Sequence, residues 1–161
     1  MVSHKIALIS ILFIFSGLFA QEIEIVADNF FADEIKKQSI LSGNVFVKKS
    51  NLDTLKSDKI TIYFDDNKQP LRYIATGNVK FEILIDNNKY NGHGDKLTYI
   101  SANKKYILEG SAWISDIKTK REVFGDEITI NQLEGKYEVK SLESNKTQSK
   151  KPVKFIFKVK E

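Results

Sequence analysis

The sequence predicts an all-β antiparallel domain assembled from a repeated strand unit, a stacked sheet of the solenoid or jelly-roll kind. Three observations carry this prediction. Glycines at 43, 77 and 110 open alternating runs, "GNVFVKK", "GNVKFEI" and "GSAWISD", spaced by 34 and 33 residues. Aspartates at 28, 58, 95 and 126 precede further alternating runs at intervals of 30, 37 and 31 residues. No segment beyond residue 20 shows the 3.6-residue periodicity of a helix.

The chain begins with a stretch that is not part of the fold. "MVSHKIALISILFIFSGLFA" places Lys5 before an apolar run from Ile6 to Phe15, with small residues ahead of Ala20. This is the layout of a secretory signal peptide, residues 1–20, cleaved after Ala20. No cysteine follows, so it is not a lipoprotein signal, and an exported chain without cysteine must hold together by its core and backbone pairing alone.

The four aspartate-led units then run in order from 21 to 145. At two and four residues beyond each aspartate stand Phe30 and Ala32, Ile60 and Ile62, Leu97 and Tyr99, Ile128 and Ile130. Every one is apolar or aromatic, whereas the intervening positions are polar except Phe31. Beyond the glycines, Val45 and Val47, Val79 and Phe81, Ala112 and Ile114 likewise share one parity. Period two means a strand with one buried and one wet face. Glycine, asparagine and aspartate between runs are expected to make the turns that separate roughly 12–16 strands of about 5–6 residues. The fourth unit has Ser141 where the glycine would stand, as a capping repeat does.

Charge divides the chain. Residues 21–145 carry 18 Lys plus Arg against 20 Asp plus Glu, and residues 146–161 carry 6 Lys against Glu161. The basic C-terminal tail, 146–161, either keeps the protein soluble or meets an anionic partner; its "VKFIFKVK" can form an edge strand. Nucleic acid is not expected to bind an exported body that is slightly acidic. Thiol chemistry and multi-histidine zinc sites are excluded, because the only histidine beyond the leader is His93, read as a turn residue between two glycines. No phosphate loop or nucleophile elbow is present, the recurrent aspartates suit turns better than a calcium ladder, and the chain is read as having no catalytic residue, metal or cofactor. Phe46 and Trp113 fall on the nominally wet face, either as a partner patch or as packing beneath a loop.

The ordered series "LKSDKITIYFDD", "YIATGNVKF", "GHGDKLTYISANKKYILEG" and "VFGDEITI" resembles the LptA/OstA family of periplasmic lipopolysaccharide-transport proteins, from about Ala27 to Val139. The resemblance implies an open antiparallel β-jellyroll whose apolar interior shields lipid acyl chains. By position, the lipid-facing residues would be Val47, Ile60, Ile62, Phe64, Val79 and Phe81, followed by Ile83, Leu97, Tyr99, Leu108, Ile128 and Ile130. It also implies head-to-tail self-association and end-to-end contact with an inner-membrane-anchored LptC-like subunit and an outer-membrane LptD-like translocon. Ile23 and Ile25 at one edge, and Tyr137, Val139, Phe155 and Phe157 at the other, are the expected interface. Two other readings remain at this stage: a membrane-anchored subunit of the same machinery that keeps its first twenty residues, and a closed β-solenoid scaffold.

Overall fold

The computed structural model describes residues 22–49, 53–141 and 151–160. The expected leader, 1–20, lies outside them. Ten strands follow one another: β1 (Ile23–Val26), β2 (Asn29–Asp33), β3 (Gln38–Lys49), β4 (Asp53–Phe64), β5 (Pro70–Ile85), β6 (Asn88–Ile100), β7 (Lys105–Asp116), β8 (Glu122–Asn131), β9 (Lys136–Lys140) and β10 (Lys154–Ile156). All pair antiparallel in one sheet, in the order β1-β3-β4-β5-β6-β7-β8-β10. β2 lies on β3 beyond the end of β1, and β9 lies on β8 beyond the end of β10. The sheet therefore has eight lanes, each outer lane made of two short strands. Its two edges do not pair with each other, so it stays open.

The count of strands departs from the sequence expectation, and the reason is local. Gly43, Gly77 and Gly110 do not end strands; they sit in the middle of β3, β5 and β7. Each has φ near +80°, and the residue after it (Asn44, Asn78, Ser111) also has positive φ, between 46° and 49°. Two successive left-handed residues make a bulge, at which the pairing register shifts and the strand bends. Turn and bulge demand the same φ > 0 chemistry, so composition alone does not separate them.

The recurrent aspartates have a related role. Asp28, Asp58 and Asp95 lie in the lane beside the glycines, and a Cβ built on Gly43, Gly77 or Gly110 would stand 2.5, 2.3 or 2.2 Å from the respective carboxylate oxygen. Asn44 and Asn78 donate side-chain hydrogen bonds to Asp28 and Asp58, both at 2.9 Å. Aspartate, glycine and the next residue form a clasp between neighbouring lanes at the line where the sheet bends. In the last pair of lanes the chain leaves β9 at Ser141 instead and returns as β10 from the basic tail.

True turns carry the rest of the signal. Asp86 and Asn87 both have positive φ (48° and 63°) between the closing pair Ile85 and Asn88, a two-residue type I′ hairpin. Asp65 Oδ1 accepts the amides of Asn67 and Gln69, and Asp116 Oδ1 those of Lys118 and Thr119. These bonds hold the Asp116 carboxyl below the usual carboxylate range, the Thr119 amide contributing most.

Both halves of the bent sheet share one apolar core. Beside the bend its side chains are small: Val45, Val79 and Ala112 are all 2% exposed or less, and they pair with Ser57, Gly94 and Gly125 respectively. Small residues let the two halves approach. On the outer face Ile40, Thr61, Ile74, Thr98, Ile107 and Thr129 form one unbroken cross-strand row. Adjacent β-branched pairs of this kind stabilise a sheet by about 0.2–1 kcal/mol each.

Candidate functional site

The interior face is the distinctive surface of this fold. One row crosses the lanes through Ile25, Val47, Leu55, Phe81, Ile114 and Val123. Gly92 stands between Phe81 and Ile114, and the Phe81 ring covers it: a Cβ there would come 2.5 Å from Phe81 Cζ. A second row, across the bend, runs through Leu41, Ile60, Ala75, Leu97, Leu108 and Ile128 to Val139. No ionised side chain is buried among the described residues; the buried polar groups are Ser39, Ser57, Thr98 and Ser115.

The expected lipid-facing residues occupy this interior. Ile60, Ile62, Val79, Phe81, Leu97, Leu108, Ile128 and Ile130 are buried in it, and Val47, Phe64 and Ile83 pack against it half-buried. Tyr99 is half-buried between Tyr73 and Tyr106, with ring centroids at 6.0 and 4.6 Å. Leu41, Ala75, Ile85, Tyr73 and Tyr106 share the interior although sequence reasoning passed over them as site residues. The missed signal is parity counted backwards: Leu41 and Ala75 stand two residues before a clasp glycine, as the expected Leu108 does, and Tyr73 and Tyr106 stand four before. Strands that run through the glycine keep the same inward parity on both sides of it.

Tyr73, Tyr99 and Tyr106 give the interior a line of hydroxyls. Burial pushes the Tyr73 hydroxyl up to about 12, with Tyr99 adding a smaller effect. Burial also raises Tyr99 and Tyr106. A raised folded-state value means that tyrosine favours the folded state fully below its unfolded value of about 10. That contribution is lost as pH rises through about 12. We therefore expect stability to fall between pH 10 and 12, with a late tyrosinate absorbance phase near 295 nm that shrinks in Tyr73→Phe. A titration completed near pH 10 would contradict a buried Tyr73.

The edge residues separate into two groups. Ile25 and Val139 pack on the core and Ile23 is half-buried, whereas Tyr137, Phe155 and Phe157 are exposed. Val26, Phe30 and Phe31 add exposed apolar surface to the first edge. His93 is not in a turn. It lies within β6 opposite Lys80 and Trp113, on the outer face, and its flanking glycines are needed for close packing, since a Cβ on Gly94 would meet Leu108 Cδ1 at 2.7 Å.

A sequence profile of the family described as "LptA/(LptD N-terminal domain) LPS transport protein" matches residues 24–136. The chain belongs to that family. The match runs from β1 to the first residue of β9, so it holds all three clasps and both interior rows except Val139. Among solved structures, LptH from Pseudomonas aeruginosa, titled the LptA homologous periplasmic component of the conserved lipopolysaccharide transport device, superposes with TM-score 0.71. Identity is 16%, over 86% of this chain and 96% of that one, a likeness of fold. A sequence search among curated proteins gives no match. As a member of the LptA/LptD N-terminal domain family, the protein is a component of lipopolysaccharide transport.

Proposed function

We propose that the interior shields the acyl chains of lipopolysaccharide while the lipid crosses the periplasm, the protein acting as a binding bridge without catalysis. The observation that carries this reading is the pair of uncharged apolar rows, each of which crosses seven of the eight lanes. Seven lanes spaced about 4.8 Å apart give each row an apolar path of roughly 29 Å. Each CH₂ kept from water is worth about 0.8 kcal/mol, so a continuous apolar path lowers the barrier that an uncovered lipid with several chains would meet. Because the sheet does not close on itself, its halves are joined by backbone only along the bend, and separating them breaks side-chain contacts but no ladder hydrogen bonds. The leader, residues 1–20, would deliver the chain to the periplasm and be cleaved there.

The edges support end-to-end association with further copies and with an inner-membrane-anchored LptC-like subunit and an outer-membrane LptD-like translocon. From residue 22 to 34 the first edge carries Glu22, Glu24, Asp28, Asp33 and Glu34 with no basic residue. The last edge carries Lys136, Lys140, Lys151, Lys154, Lys158 and Lys160 against Glu138. Opposite charge on edges that also expose Phe30, Phe31, Phe155 and Phe157 favours head-to-tail pairing over head-to-head. The basic tail thereby gains a role that its composition left open.

A photocrosslinking residue placed at Phe81, in cells that make lipopolysaccharide, should yield a lipid adduct. The same residue at exposed, outward-facing Lys59 should not. A folded, exported protein that gives no adduct at 81 would point to a closed scaffold instead.

A further inference from the structure

The outer face holds a second feature that lipid shielding does not use. A depression of about 440 Å³ opens between Phe46 on β3 and Trp113 on β7, and Lys56, Lys80, Asn91 and His93 line it between those rings. The residues converge because they share a cross-strand row: Phe46 pairs with Lys56, Lys56 with Lys80, Lys80 with His93, and His93 with Trp113. Asn91 stands one outward position further along β6.

Two observations point to a ligand. His93 and Trp113 are stacked, with centroids 5.1 Å apart and planes at 28°, and Trp113 Nε1 donates to Glu122 Oε1 at 3.2 Å, which fixes the indole. This is a rigid aromatic platform on an exported protein, suited to the C–H face of a sugar ring. Lys56 and Lys80 are direct cross-strand partners of like charge, an arrangement that costs stability. Among the described residues neither makes an ion pair, and Lys56 is held only over the Phe46 ring at 6.0 Å. An anion bound between the two ammonium groups would relieve that repulsion.

We propose that this depression binds a phosphorylated oligosaccharide, the sugar portion of the transported glycolipid, on the face of the sheet opposite the acyl chains. The aromatic pair stacks a ring, Lys56 and Lys80 hold a phosphate, and Thr54, which also lines the depression, contacts a hydroxyl. The identity of the donor glycolipid rests on the function proposed above, but the test needs no acyl chain and no open interior, so the two readings fail separately.

Trp113 is the sole tryptophan of the chain and reports directly on the site. The full chain would be titrated with phosphorylated core oligosaccharide released from lipopolysaccharide by mild acid, following tryptophan fluorescence. The expected result is a saturable change. Lys80→Gln and Lys56→Gln, both at exposed positions, should each weaken it by about tenfold while circular dichroism stays unchanged and melting does not fall. The dephosphorylated oligosaccharide should bind as weakly to the native protein as the phosphorylated one binds to the lysine variants. No saturable change would overturn the proposal, and so would an equal response to neutral dextran or unaltered affinity in both lysine variants.

Discussion

Gly77→Ala should destabilise the fold by about 3 kcal/mol, read as a lower midpoint in urea unfolding. Two costs add. A β-carbon at φ +81° costs about 1–2 kcal/mol of backbone strain, and forcing it against a packed neighbour costs about 1–3 kcal/mol. The neighbour is the Asp58 carboxylate, whose Oδ2 would lie 2.3 Å away. Gly135→Ala separates the two costs, because Gly135 also has positive φ (63°) with nothing within 4 Å of the added carbon. It should lose only the strain. Asp58→Ala alone forfeits the bond from Asn78 and should cost about 1 kcal/mol. The Gly77→Ala, Asp58→Ala double variant should then be more stable than the sum of the singles predicts by about 1–2 kcal/mol. Strict additivity would show that the aspartate is not what requires the glycine.

Leu108→Ala should cost about 3–4 kcal/mol. Its side chain is only 1% exposed, at the centre of the second interior row, between Leu97 and Ile128 on the neighbouring strands. Leu133→Ala, at an exposed turn position, should change stability by less than about 0.5 kcal/mol. Chemical unfolding of the pair tests whether the interior is tightly packed in the absence of lipid. If Leu108→Ala cost no more than Leu133→Ala, the interior would be loosely filled, and lipid rather than side chains would complete the core.

Much of this architecture is legible in the sequence, and the misreadings share one cause. Alternation identified the inward residues correctly, from Ile60 and Ile62 to Ile128 and Ile130, because burial on one face of a strand leaves a period of two whatever the tertiary fold. The glycines were misread as strand boundaries because a bulge and a turn require the same backbone angles; only the partner lane, with an aspartate against the missing side chain, distinguishes them. That one substitution of turn for bulge multiplied the strands and left Leu41, Tyr73, Ala75 and Tyr106 out of the expected interior, and the same reading of Gly92 and Gly94 placed His93 in a turn. The outer-face pairing of Lys56 with Lys80 was not legible at all. It depends on register across β4 and β5, and the bulge shifts that register between Lys56 and Lys59.

The number of lanes has a consequence for how such a chain can lengthen. With eight lanes the two edges run in opposite directions, so a second copy laid against the last edge keeps the alternation of the first. Inserting a single strand would leave both edges pointing the same way, and every junction would then become a mismatched parallel pair. Inserting a hairpin does no such harm. Growth or shrinkage that preserves polarity therefore comes in whole hairpins, each bringing one aspartate and one clasp glycine. The intervals of 34 and 33 residues between those glycines are the size of that step.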